Sequence, residues 1–454
     1  MDREYILNHV EELTAQQLFD AIKQEIATLD VLKKTDRLDR SKREDIIKLI
    51  KADEKEHQRA QAERDKTDDD AWNDSRYTEQ GCREYLTIYH TGRHIVEARQ
   101  QIDELEQQRK NENADKNRIV ELIRNKPNSF TPGMLRQYLN NKTITTNDLL
   151  NAGVPNKIIN SIDNIVSPQL QLGDTPQSIP DGYTEVYFWG IPGSGKTCAL
   201  AAVLSTAERM GYLEIAQGPG YDYMLKLKNI FSSEISILPA ASPVDTTQYL
   251  PFALKKPDER FSRSVSLIEL SGEIFQCFLL KNANKPLPSP QHEETFSSLN
   301  SFLNGGNRKI HFFFVDYDLE NNPDADGYTQ GDYLNAAATF FNDRKNNLFG
   351  LTTDAIYIVL TKSDLMPCGK SERVNHIREY LNDNNFAAFV NSLRNKCREN
   401  SINAKRILGT PFALGKVYFQ QMCEFDPETS RNIIDILMRR IAMKKESILD
   451  VFNK

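Results

Sequence analysis

The spacing of apolar positions changes twice along the chain. Up to about residue 125, apolar side chains recur at helical spacing in a highly charged background. Leu13, Leu18, Ile22, Ile26, Leu29 and Leu32 stand three to five residues apart, as on one stripe of a helix. A second helical run is predicted from about Thr78 to Asn113, its later half polar enough for a coiled coil or a solvent-bridging helix. Residues 53–75 between them read as an exposed helix that frays or as a linker. From about 126 to 166 the pattern shortens into three small helices. Thr131 caps the first, with Pro132 at its first position; Thr146 caps the second, through Leu149 and Leu150, and Gly153 stops it. Pro155 opens the third, with Ile158, Ile159 and Ile162 along one face. Residues 167–182 are rich in Pro, Gly, Ser and Gln and read as a hinge.

From 183 to 454 short apolar runs of strand length alternate with helical segments, which predicts an α/β fold with a central, mostly parallel sheet flanked by helices. The strands are expected at 184–189, 211–216, 248–255, 264–270, 309–315, 355–361 and 406–412. Helices are expected near 195–209, 294–304, 330–345, 373–383, 385–399 and 430–446. The chain thus divides into an all-α region (1–125), a small helical module (126–166), a linker and the α/β domain.

Composition narrows the function classes. A formal net charge of -7 over 454 residues argues against a protein that coats nucleic acid or anionic lipid, and no direct nucleic-acid contact is indicated. Mean hydropathy is -0.56, no transmembrane segment is expected, and the N-terminus does not read as a secretory signal, so the expected location is cytoplasmic. The six cysteines are far apart and form no CxxC pair, which points away from a zinc site or a disulfide scaffold.

Candidate chemistry begins at Gly190-Ile-Pro-Gly193-Ser194-Gly195-Lys196-Thr197, a complete Walker A motif between an apolar strand and a helix. Its glycines let the backbone wrap a phosphate, and the amides from Gly193 to Thr197, followed by Cys198, point at the anion with the positive end of the helix behind them. Lys196 should reach the β and γ phosphates, and the Thr197 hydroxyl should coordinate Mg2+. The strand Val265–Glu269 ends in Glu269-Leu-Ser-Gly272-Glu273, and Ala355–Leu360 is followed by Thr361-Lys362-Ser363-Asp364. A carboxylate at Asp364 can accept from N1 and the exocyclic amine of guanine, and the stem of Lys362 can cover the base. Asp316, Asp318, Asp324 and Asp326 suggest a cation loop, but their spacing fails the Asp-x-Asx-x-Asx-Gly pattern, and a solvated loop is expected there.

In this order the motifs resemble the Ras-like, TRAFAC class of P-loop GTPases, and more narrowly the GTPases of bacterial GTPase-associated systems linked to conflict or defence. In that class the second strand ends in Asp-x-x-Gly, its acid holding Mg2+ through water and its glycine amide sensing the γ phosphate; Glu269 and Gly272 match in spacing, with Glu in place of Asp. The class also has an antiparallel strand feeding the turn before that motif, here 248–255 and Lys256–Arg260. The resemblance makes Thr246 or Thr247 the switch threonine on Mg2+, with Thr246 preferred, Ala413 the backbone contact to the guanine oxygen, and Glu273 the residue that positions the attacking water. It implies a regulatory protein that binds GTP or GDP with Mg2+ and hydrolyses GTP slowly or with stimulation, its N-terminal helices holding a protein partner. Two alternatives stay open: a P-loop ATPase in which Asp316 holds the metal, and a scaffold that binds nucleotide without turnover.

Overall fold

The computed structural model describes residues 2–168, 170, 178–218, 220–239, 248–319, 322–342, 352–382, 384–399 and 408–442. The chain forms two compact units, residues 1–118 and 119–454.

The first unit contains α1 (Arg3–Asn8), α2 (Ala15–Lys23), α3 (Leu29–Lys33), α4 (Arg40–Ser75), α5 (Glu79–Ile88) and the start of α6 (Ile95–Asn125). The stripe from Leu13 to Leu32 is split between two short helices because local capping overrides its continuity. Thr14 and Gln17 form a capping box at the start of α2, Glu25 adopts a left-handed φ of 56°, and Thr28 caps α3. Leu13, Leu18 and Leu32 nevertheless share one core with Ile6, Val10 and Ile46. Residues 53–75 belong to the 36-residue α4. The far end of that helix is tied down by Asp68, whose carboxylate accepts from the Tyr85 hydroxyl (2.5 Å) and the Arg93 amide (2.7 Å), beside a core of Trp72, Cys82 and Ala98. Burial works to raise the Asp68 pKa, and these two donors outweigh it and hold the carboxyl below its ordinary value. The run predicted from Thr78 to Asn113 is interrupted between α5 and α6, where this network sits.

In the second unit the end of α6 is followed by α7 (Pro132–Asn140), α8 (Thr146–Asn151) and α9 (Asn156–Ser161). Thr131 caps α7 as expected, but α8 is capped by Thr145 and not by Thr146. Only Thr145 has an acid three residues on, and Asp148 returns a bond to the Thr145 amide at 2.8 Å. Leu135, Leu149 and Ile158 share a core with Tyr418, Phe419 and Met422, so these helices pack within the same unit as the sheet.

The strands are β1 (Thr184–Trp189), β2 (Leu213–Ile215), β3 (Ser236–Ile237), β4 (Gln248–Leu254), β5 (Arg263–Glu269), β6 (Arg308–Asp316), β7 (Thr353–Thr361), β8 (Leu408–Pro411), β9 (Gly415–Tyr418) and β10 (Met422–Phe425). Seven form one sheet in the order β2-β4-β5-β1-β6-β7-β8, and β3, β10 and β9 form a small second sheet. From β5 to β8 every neighbouring pair is parallel, whereas β4 runs antiparallel to β5 and β2 antiparallel to β4. All seven expected strands are present in the large sheet. The helices are α10 (Lys196–Arg209), α11 (Tyr221–Ile230), α12 (Ile274–Asn282), α13 (Pro290–Asn304), α14 (Gln330–Asn342), α15 (Arg373–Leu381), α16 (Asn384–Glu399) and α17 (Glu428–Ala442).

Helices cover both faces of the sheet. Val186, Phe188, Phe312 and Phe314 face a core with α10, α11 and α17, while Tyr187, Trp189, Phe313 and Val315 face one with α12, α13, α14 and α16. Burial on both sides is why these strands read as continuous apolar runs without alternation.

Candidate functional site

Strand β1 lies mid-sheet, and the chain adds β5 on one side of it before adding β6 on the other. In an open α/β sheet such a reversal leaves a crevice beyond the carboxyl ends of the strands, where ligands bind. The loop from Gly190 to Thr197 occupies that position. Gly193 and Gly195 adopt φ values of 75° and 83°, a left-handed conformation that side chains disfavour, and together they curl the loop before α10 begins at Lys196. The Ser194 hydroxyl donates to Ile191 O (2.8 Å) and braces the curl. The Lys196 ammonium reaches back to Gly190 O (2.5 Å) and Ile191 O (2.9 Å). It is only 7% exposed, and burial lowers its pKa to about 8 against the opposing pull of Glu269.

At the carboxyl end of β5 the Glu269 carboxylate accepts from the Thr197 hydroxyl through one oxygen and from the Tyr223 hydroxyl (2.7 Å) through the other. The first of these contacts joins the two groups expected to serve a metal. Burial raises the Glu269 pKa, opposed by the two hydroxyls and by Lys196. Cys198 follows on the helix, and burial pushes its thiol up to about 12.

Gly272 packs directly on the loop from Gly190 to Thr197: a Cβ there would lie 2.2 Å from Pro192 N and 2.6 Å from Ile191 C. Glu273 therefore stands at the rim of the loop. Its carboxylate meets His292 Nε2 at 3.2 Å, and His292 Nδ1 meets the Ser289 hydroxyl at 2.7 Å. A cavity of about 380 Å3 opens beside it, lined by Ile191, Pro192, Gly272, Glu273, Tyr328 and Tyr333.

The segment Thr361–Asp364 begins at the last residue of β7, two strands from β1, and turns back toward the loop from Gly190 to Thr197. The Thr361 hydroxyl lies 3.0 Å from Ser194 O and 3.2 Å from Val315 O. Lys362 has a left-handed φ of 52°, and its ammonium pairs with Asp316 (2.9 Å) and Asp318 (3.2 Å). Asp316 is fully buried; its amide donates to Gln330, and its carboxylate takes both Lys362 and the Asp318 amide (2.9 Å). Asp364 stands at the mouth of a cavity of about 400 Å3, with Arg373, Thr410, Ala413 and Thr429 on the walls. Asp364 keeps contact with solvent, yet the protein around it raises its carboxyl pKa, opposed by Arg373 and Lys362. The Ala413 amide donates to Thr429 Oγ1 (3.2 Å).

The fold thus gathers Gly190, Gly193, Ser194, Gly195, Lys196, Thr197, Glu269, Gly272 and Thr361 around one loop, with Glu273 at its rim. Thr246 and Thr247 lie outside the described residues. Among the described residues no three His, Cys, Asp or Glu side chains converge as a metal site. Asp324 instead forms a turn, accepting from the Asp326 and Tyr328 amides and the Tyr333 hydroxyl. No helix of the described residues is long and apolar enough to cross a membrane. Two residues at the site, Tyr223 and His292, belong to no motif, and nothing in their sequence neighbourhoods singles them out. No protein-family model matches the sequence, and no curated protein matches it either.

Proposed function

We propose that residues 183–454 form a Ras-like P-loop domain that binds guanine nucleotide and hydrolyses GTP to GDP with Mg2+, and that the N-terminal helices engage a protein partner. One observation carries the guanine reading: the Thr361 hydroxyl sits against Ser194 O, so Thr361–Asp364 is fastened to the phosphate loop itself. A base recognised by Asp364 would then belong to the nucleotide whose phosphates occupy the loop. The antiparallel β4 feeding β5 supports the same reading.

The roles follow from the contacts. The loop amides and Lys196 hold the phosphates, the ammonium exchanging Gly190 O and Ile191 O for phosphate oxygens. Thr197 and Glu269 suit Mg2+, a hard cation usually held by one or two protein oxygens together with phosphate and water. When bound, the ion would neutralise charge on the β and γ oxygens. Asp364 selects guanine, and the stem of Lys362, anchored at its tip by Asp316 and Asp318, lies across the base. The commitment of Asp316 to Lys362 weighs against its being the metal acid of an ATPase. On the N-terminal unit Tyr77, Ile88 and Val96 are 69%, 68% and 76% exposed, apolar side chains that a protein partner could cover.

The test is Asp364→Asn. Losing two charge-assisted hydrogen bonds should weaken GTP by at least about 100-fold and shift preference to xanthosine triphosphate, whose ring offers a carbonyl where guanine has its amine. Unchanged GTP affinity would refute the role of Asp364.

A further inference from the structure

A carboxylate is an awkward group to place beside a γ phosphate, because both are anionic and the field at the rim of a phosphate loop is only partly screened. In the GTPase reading Glu273 stands there, because the main chain just before it packs on the loop from Gly190 to Thr197. The Cβ position of Gly272 is 2.2 Å from Pro192 N, so the main chain just before Glu273 lies in contact with the loop. What distinguishes this carboxylate is its partner. His292, in the first turn of α13, brings Nε2 to 3.2 Å from Glu273 Oε2, and its side chain is 12% exposed.

The protonation pattern follows from the partners. An ionised carboxylate only accepts, so Nε2 carries hydrogen and donates to Glu273. The other nitrogen faces the Ser289 hydroxyl at 2.7 Å, and a hydroxyl both donates and accepts. Ser289 can therefore support the ring whether neutral, by donating to Nδ1, or charged, by accepting from it. Ser289 is itself fixed as the cap of α13, its oxygen accepting from the His292 amide at 3.4 Å. A three-residue brace thus runs from a helix cap to the rim of the phosphate loop.

We propose that His292, held by Ser289, is a positioning residue for nucleotide hydrolysis: it fixes the Glu273 carboxylate by a hydrogen bond, so that Glu273 orients the attacking water. The inference rests on the GTPase reading above. In the step itself the water oxygen bonds to the γ phosphorus while the bond from that phosphorus to the β–γ bridging oxygen breaks, its electron pair leaving on GDP. Both water protons depart with the released phosphate, so neither Glu273 nor His292 changes its net protonation. His292 touches no reacting atom, and its effect is exerted through Glu273 alone.

The experiment measures GTP affinity and single-turnover hydrolysis for the full chain and for His292→Ala, His292→Gln, Glu273→Gln and the double variant His292→Ala/Glu273→Gln. The His292→Ala rate should fall about 10- to 100-fold, the scale expected when a water-orienting group loses its position, while GTP affinity stays within about twofold. His292→Gln, which can still donate to the carboxylate, should recover part of the rate. The double variant should be no slower than Glu273→Gln alone. The inference is overturned if His292→Ala hydrolyses at the wild-type rate, if the two losses multiply in the double variant, or if the wild-type protein binds GTP without turning it over. Absence of GTP binding by the wild-type protein would overturn the nucleotide reading first, and this inference with it.

Discussion

Gly272→Ala adds one methyl group at the tightest contact of the site. The new Cβ would sit 2.2 Å from Pro192 N and 2.6 Å from both Ile191 C and Pro192 Cδ. Two of these atoms are main chain and the third is in a proline ring, so no rotamer change relieves the clash. Carbon contacts settle near 3.5 Å, and the loop must therefore move by roughly an ångström. Gly272 is not left-handed, so the substitution probes the contact and not backbone strain. Overpacking of this kind costs about 1–3 kcal/mol, which for a unit of this size lowers Tm by a few degrees. The larger effect should be on binding, because the amides displaced are those assigned to the phosphates in the proposed function. A shift of that size predicts about a 10- to 100-fold loss of nucleotide affinity. Gly306→Ala is the control, since a Cβ there meets nothing within 4 Å. Titration with a fluorescent GTP analogue compares the three proteins. If Gly272→Ala binds as tightly as Gly306→Ala, the loop after β5 does not govern the phosphate loop and the reasoning fails.

Nucleotide affinity should fall as pH rises through about 8, where the buried Lys196 loses its proton. A lysine in the unfolded chain keeps its proton to about 10.4, so burying the charge costs stability below pH 8 and that cost is relieved between about 8 and 10.4. Phosphate binding favours the ammonium, so calorimetry near pH 8.5 should detect proton uptake, and an affinity that stays flat from pH 7 to 10 would contradict this. In the N-terminal unit, Asp68→Ala leaves the Tyr85 hydroxyl and Arg93 amide without their acceptor and should destabilise the unit by about 2–3 kcal/mol. Urea unfolding followed by Trp72 fluorescence in a Trp189→Phe background measures it, and an unshifted midpoint would show that the network carries no stability.

Much of the large sheet was legible because its strands are buried on both faces. Runs such as Lys309–Val315 and Ala355–Leu360 carry no competing helical period, and the glycines of the phosphate loop mark their own backbone conformation. The small sheet was not legible: β3 is two residues long, and β9 and β10 are four each, too short for a pattern. Helices α11 and α12 escaped as well. The α12 sequence IFQCFLLKN is apolar on nearly every side and lacks the stripe that identifies a surface helix. In the N-terminal region periodicity reported which residues are buried but not where helices stop, since Glu25 and Thr28 divide a stripe that is continuous in sequence. At the site, spacing identified Lys196, Thr197, Glu269 and Thr361, which the fold brings to one loop. The contacts of Tyr223 and His292 depend on how helices α11 and α13 lie beside that loop, and no local pattern encodes that placement.

In the proposed function one site holds the phosphates at Lys196 and a guanine base at Asp364. Calorimetric titration of the nucleotide-free full chain with GTP, GDP, ATP and ADP in the presence of Mg2+ tests it most directly. The account predicts saturable binding of GTP and GDP with adenine nucleotides at least about 100-fold weaker, and tight binding of ATP or ADP would contradict it.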